Sequence, residues 1–417
     1  MKKKKSSPVL PIVGCLVIQL CVGIIYLWSV MRQEFPAAYS LSPESSIPAM
    51  VASYMLLAFV VGNLVGGYIN DKKGPRFTAI IGLITFAIGV GASGLLTNET
   101  VSFIILTYCV IAGLGSGIAY GACISCVQKW LPHRRGLASG LAVSAFGLST
   151  VVFATVINYL MDAFRGTDGL VNFSAVFFTL AGIFFVLGII ACMFVHLPDS
   201  EYLASLPSTP ANAKVVSSNR DYTLGQAMRT VPFWCMFLFL FFINGTWNLT
   251  SPLIRTLGES ERGLTSAQAV FAVSFTGITN AVGRLSMATL SDKIGRFTAE
   301  MILCFITFAG AILMTFISGI PYIAIVALVA FGYGGPSAIN PAISTDFFGQ
   351  KNSGTDYGII MLGLGISSVV FNAISTKLLH HDPLPSFIMG AATAVLAAVM
   401  MCITNIYLKR LKTEVAH

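Results

Sequence analysis

Asp71-Lys72-Lys73-Gly74-Pro75-Arg76-Phe77-Thr78-Ala79 follows one long apolar run, and Asp292-Lys293-Ile294-Gly295-Arg296-Phe297-Thr298-Ala299 follows another. The two stretches differ by one inserted residue. An acid and several bases in so short a loop can form charge pairs and helix-terminus contacts that hold one arrangement of the adjoining helices. A single copy reads equally well as ordinary loop charge. Two copies point to a conformational latch in each half of a duplicated unit, built from Asp71, Lys72 and Arg76 and from Asp292, Lys293 and Arg296. A second echo lies at nearly the same offset, where Gly136, Gly140 and Gly147 match Gly354, Gly358 and Gly365.

Outward from these loops the chain is made for lipid. Of its 417 residues, 55% are apolar and only 10% charged, against about 25% charged in a soluble domain. That balance excludes a water-soluble enzyme. The apolar residues gather in runs of about 20, the length of helix that crosses roughly 30 Å of hydrocarbon. Twelve such runs are read, at 10–31, 48–70, 77–96, 100–126, 137–160, 172–197, 232–254, 268–290, 299–320, 321–344, 355–379 and 384–408. Met1 to Lys5 and the run after them have the layout of a secretory signal, but no small-residue cleavage pattern follows, so the run is read as a retained first span.

From Pro198 to Thr230 the apolar periodicity gives way to Ser, Pro, Asn and Lys, the composition of a linker. The expected fold is an all-α membrane protein: twelve transmembrane helices in two pseudo-symmetric six-helix bundles, 1–197 and 231–417, joined by a cytoplasmic linker at 198–230. Parallel repeats about an axis along the membrane normal would place a ligand site between the halves, near the midplane.

Alternate loops collect 19 of the 25 Lys and Arg residues, including Lys2 to Lys5, Lys129, Arg134, Arg135, Lys214, Arg220 and Lys351. Arg32, Arg165, Arg255, Arg262 and Lys377 fall on the other side. By the positive-inside rule both termini and the linker are cytoplasmic, in a plasma (inner) membrane, and the net charge of +8 reports orientation rather than nucleic acid. The nine cysteines lie in or against apolar runs and read as small hydrophobes; Cys123-x-x-Cys126 has no second pair at zinc spacing. No Gly-x4-Gly-Lys-Ser/Thr loop and no His-Glu-x-x-His occurs, so neither a cofactor nor a metal is expected.

Glycines four residues apart recur at Gly62 and Gly66, at Gly113, Gly117 and Gly121, and in both members of the second echo. They predict close helix packing, the main source of association in lipid.

One basic residue, Arg284, falls inside an apolar run, about 12 Å before Asp292 along a helix. All 17 acidic residues lie in loops or at span ends, so no interior acid is read as its counter-ion. A guanidinium in the membrane costs at least about 2.5 to 3.5 kcal/mol and does not escape by deprotonation. A small carboxylate fits its planar fork with two parallel hydrogen bonds. The alternative is a guanidinium that snorkels or bonds backbone carbonyls. Asn280, one turn earlier on the same face, is a candidate to orient the guanidinium or the substrate. Tyr26, Trp28, Tyr120 and Tyr333 are candidate aromatic donors around a short acid, although each fits core packing or an interfacial belt as well.

Gly23-Ile-Ile-Tyr26-Leu-Trp28-Ser29, Lys129-Trp130-Leu-Pro132-His-Arg-Arg135-Gly136, Gly283-Arg284 and Phe347-Phe-Gly-Gln-Lys351-Asn352-x-Gly354, with the repeated loop, resemble the oxalate/formate antiporter family of the major facilitator superfamily and its pyruvate and lactate relatives. That resemblance implies transport of small carboxylates by alternating access without chemical change, and Tyr26 and Tyr120 match family positions that line the cavity. It also implies a second embedded cation, a lysine, in the eleventh helix. Here Met361-Leu-Gly-Leu364-Gly365 is apolar, with Leu364 at the estimated place. One cation balances one carboxylate, which favours monocarboxylates such as pyruvate, lactate or formate over oxalate.

His133, His196, His380, His381 and His417 sit at loops, span ends or the terminus, so no proton carrier is evident. The residues leave anion exchange and symport, with the proton on the substrate or a span-end acid, both open; resemblance to the pyruvate and lactate carriers implies a secondary transporter working by proton symport, expected as a monomer. An oxalate/formate-type exchanger is the nearest alternative, and an anion-selective channel or an exporter of drugs or sugars are rivals of other kinds.

Overall fold

A computed structural model describes residues 7–23, 28–42, 45, 47–206, 221–375 and 382–415. Tyr26, Lys2 to Lys5, Lys214, Arg220, Lys377, His380, His381 and His417 lie outside them. The described residues are overwhelmingly helical, with a single β-bridge between Arg165 and Val171.

The long helices are α1 (Val9–Val22), α2 (Ile47–Lys73), α3 (Pro75–Ser93), α4 (Gly113–Trp130), α5 (Arg135–Ala163), α6 (Phe173–Phe194), α7 (Val231–Thr250), α8 (Ser266–Ile294), α9 (Arg296–Phe316), α10 (Ile320–Phe348), α11 (Ser353–Ala373) and α12 (Pro383–Val415). Ten of them, some with short turns continuous with them, are long and apolar enough to cross a membrane. The other two depart from the expected spans for different reasons. Within the first run, expected at 10–31, the described residues form α1 over 14 residues and a short helix at Trp28–Met31, and residues 24–27 lie outside the described residues. α8 has 29 residues, ample length, but Ser, Thr, Asn280 and Arg284 interrupt its apolarity.

The repeated loops close in the same way. Gly74 (φ +82°) and Gly295 (φ +95°) stand between α2 and α3 and between α8 and α9, in a backbone region that favours glycine. At the other end of α8, Thr265 and Gln268 form a capping box in which each side chain accepts from the other's backbone N–H.

Two compact units emerge, one of Met1–Trp130 with Ala145–Pro207 and one of Leu131–Ser144 with Ser208–His417. In the first, α4 packs on α2 and α3, and α6 on α1 and α3. The α2–α4 crossing is set by glycine: a methyl at Gly117 would overlap the Phe59 carbonyl, and one at Gly62 the Leu114 carbonyl. An aromatic cluster of Trp28, Phe35, Tyr39, Tyr108, Phe173 and Phe177 fills one end of this unit. In the second unit α8 packs along α10, α7 lies against α11 and α12, and α9 against α10 and α12. The first turns of α5 belong to this second unit.

Candidate functional site

Arg284 is buried in α8, 3% exposed. Its Nη1 donates to the Val143 carbonyl at 3.0 Å. Close packing presents that carbonyl: a methyl at Gly140 would press on the Arg284 backbone oxygen, and Ser144 Oγ donates to the Ala281 carbonyl at 3.1 Å. On the other side, Gly283 leaves no room for a methyl beside the Phe331 carbonyl of α10. The guanidinium thus engages a neutral carbonyl, the arrangement weighed from sequence as the alternative to substrate anchoring.

Asn280 turns elsewhere. Its Nδ2 donates to the Ala330 carbonyl of α10 at 3.3 Å, and its backbone lies so close to Gly334 that a methyl there would overlap it. This contact clamps α8 to α10, with the Nδ2 group turned to Ala330 rather than toward Arg284. Tyr333, half-buried on α10, stacks on Trp247 at 5.2 Å and 17°. Leu364 is buried in α11.

In the first unit, Tyr120 is buried between Phe59 and Phe146, edge-on to both at 5.0 Å. Trp28 does not serve as a free donor. Its indole N–H donates to the Pro48 carbonyl at 2.7 Å, and its ring packs on Phe35 and Tyr108 in the aromatic cluster. The periodicity of a sequence shows that a ring is internal but not which carbonyl takes its N–H.

The second repeated loop enters a charge network. Asp292 accepts from the Gly136 and Leu137 backbone N–H groups at 2.9 and 2.8 Å. These are first-turn amides of α5, which have no partner within their own helix and sit at its positive end. Arg296 bridges two acids, with Nη1 on Asp292 at 2.7 Å and Nε on Asp346 at 3.0 Å. Arg135, at the start of α5, completes the chain with Nη1 on the other Asp346 oxygen at 2.7 Å. Gly136 must be glycine here, because a methyl would strike the Ala288 carbonyl and the Arg296 and Asp292 side chains. Lys293 is exposed in the last turn of α8.

The first loop is wired differently. Arg76 donates to the Cys192 and Met193 carbonyls at the end of α6, Lys72 to the Tyr68 hydroxyl, and Asp71 is half-buried. Arg135 and Asp346 carry as much of the network as the motif residues do, and their positions at helix ends in Arg-Arg-Gly and at the close of α10 were the available signal.

Two fully buried acids contradict the expectation that none lies in the interior: Asp356, in the first turn of α11, and Glu300. Glu300, one turn into α9, is fully buried, and its Oε1 accepts from Asn340 Nδ2 of α10 at 3.0 Å.

The family model described as Major Facilitator Superfamily matches residues 12–372. The chain is 27% identical over 365 residues to the uncharacterized MFS-type transporter YhjX of Escherichia coli strain K12, covering 86% of this chain and 85% of that one. It is 25% identical to the oxalate:formate antiporter of Oxalobacter formigenes, over 85% of this chain and 81% of the antiporter. Among solved structures, the outward conformation of the MFS transporter FucP superposes with a TM-score of 0.69 at 15% identity, over 96% of this chain and 99% of that one. The chain belongs to the Major Facilitator Superfamily: it is a multi-pass membrane transporter and not an enzyme.

Proposed function

We propose that this transporter carries small monocarboxylates of the pyruvate, lactate and formate class by alternating access, as a monomer in the plasma (inner) membrane with both termini cytoplasmic. Arg284 is the carboxylate anchor, and transport is by proton symport. The observation that carries the reading is the burial of the Arg284 guanidinium within α8. Such a group pairs most favourably with a carboxylate, two oxygens meeting two N–H donors. Similarity to an oxalate:formate antiporter supports the carboxylate class. The apolar Leu364 favours cargo of a single negative charge. The Asp292, Arg296, Asp346 and Arg135 network is the latch on this reading, holding the start of α5 to α8, α9 and α10.

The test is uptake of labelled pyruvate, lactate, formate and oxalate into liposomes holding the purified protein, with and without a pH gradient. A charge-assisted hydrogen bond contributes about 1.5 to 3 kcal/mol, so Arg284→Gln is expected to weaken monocarboxylate affinity about tenfold or more. Undiminished uptake in that variant, or oxalate carried as fast as pyruvate, would overturn the reading.

A further inference from the structure

Glu300 and Asn340 face one another across the α9–α10 packing with more acceptors than donors. Both side chains are fully buried. Asn340 Nδ2 uses its two N–H groups on the Pro336 carbonyl and Glu300 Oε1, each at 3.0 Å. The amide orientation is thereby fixed, since a flip would turn its oxygen toward two acceptors. Glu300 Oε2 and Asn340 Oδ1 are left buried with no protein hydrogen-bond partner among the described residues. Two acceptors at a contact already joined by one hydrogen bond lack a single proton between them.

Among the described residues, Arg296 is the charged group that acts on Glu300. On α9, Arg296 lies one turn before Glu300, but its guanidinium is engaged by Asp292 of α8, Asp346 of α10 and Ser291. Cys304 lies one turn after, with Cys402 of α12 beyond it, and Cys235 of α7 sits beside Thr404 of α12. Arg135 and Arg296 match Asp292 and Asp346 one for one, so an ionised Glu300 would add a negative charge that this network does not balance.

We propose that Glu300 is a proton-binding site of the transport cycle: protonated on Oε2, it pairs with Asn340 as a carboxylic acid with an amide, and the proton is released when the neighbouring Arg296 network opens. The protonated carboxyl supplies one O–H donor, which Asn340 Oδ1 accepts while Asn340 Nδ2 continues to donate to Oε1. Both orphan acceptors are then satisfied. When Arg296 leaves its aspartates, it becomes the counter-ion one helical turn away that stabilises the carboxylate. The coupling role rests on the monocarboxylate symport reading; the proton itself does not.

The experiment has two arms. Infrared difference spectra of the reconstituted protein against Glu300→Gln, taken across pH, read the carbonyl stretch of a protonated acid. The expected result is a band present near neutral pH in the wild type and missing in the variant; its absence from the wild type would overturn the proposal. In the transport arm, an inward gradient of one pH unit corresponds to at most about tenfold accumulation for one coupled proton. Wild type and Glu300→Asp, which keeps a titrating acid, are expected to accumulate pyruvate under the gradient. Glu300→Gln is expected to exchange labelled for unlabelled pyruvate yet accumulate none. Gradient-driven accumulation by Glu300→Gln equal to wild type would overturn the coupling role. If the wild type moves no carboxylate at all, the substrate reading fails, and the infrared band alone decides for or against the proton site.

Discussion

Leu364 is buried in α11 at the place where resemblance to the oxalate/formate family implies a lysine. If one cation sets the preference for one carboxylate, Leu364→Lys is expected to raise oxalate uptake relative to pyruvate, read as the ratio of labelled uptake in liposomes. An unchanged ratio would count against charge matching as the selective principle. Asp346 makes a harsher test of burial. It is 4% exposed and shared by Arg135 and Arg296. Asp346→Asn leaves both guanidinium groups short of an acid, and breaking a buried pair typically costs about 3 to 5 kcal/mol. A clear fall in the apparent melting temperature in detergent is expected, and an unchanged value would show that the network contributes little. At this scale the sequence is readable where a residue type is out of place, as Arg284 is in an apolar run. It is unreadable where the partner decides. Trp28 has the composition of a ligand contact, yet its N–H belongs to Pro48. Glu300 stands so near the end of its run that position alone suggested water, whereas the fold turns it onto Asn340.

Helix against helix, the decisive residues are the ones without side chains. Gly117 of α4 touches the Phe59 backbone of α2, whereas Gly182 of α6 has nothing within 4 Å of where a methyl would stand. Gly117→Ala is expected to destabilise by about 1 to 3 kcal/mol through overpacking. Gly182→Ala is expected to be neutral or to stabilise by up to about 1 kcal/mol, the helix-propensity difference. Thermal unfolding of the two variants side by side checks the contrast, and equal shifts would refute the packing role. The fourth-residue spacing of glycines makes this contact legible in the sequence. The same reasoning did not reveal that the two repeated loops, alike in sequence and in their positive-φ glycines, end on different partners. Arg76 meets helix carbonyls, while Arg296 meets two acids. What distinguishes them is Asp346, which lies fifty residues downstream of Arg296 and has meaning only once α10 is folded against α9.

For the molecule as a whole, the twelve apolar runs and the duplicated loop carried the fold, because lipid leaves helices as the way for such runs to satisfy their backbone. A carrier of this kind must exchange. Unlabelled pyruvate inside vesicles is expected to speed the entry of labelled pyruvate, and failure of that acceleration with transport otherwise intact would favour a channel. One feature of α10 bears on how such a molecule moves. Pro336 and Pro341 lie inside the helix, and neither can donate to the carbonyl four residues back. Tyr357 of α11 reaches over to the Ser337 oxygen so released. Asn340 lies between the two prolines and Asp346 beyond the second. With two backbone rungs missing, the last turns of α10 lean on side-chain grips, Tyr357 on Ser337 and Arg135 and Arg296 on Asp346, so on the proposal above a proton taken up at Glu300 would act on a segment that its own backbone holds less tightly.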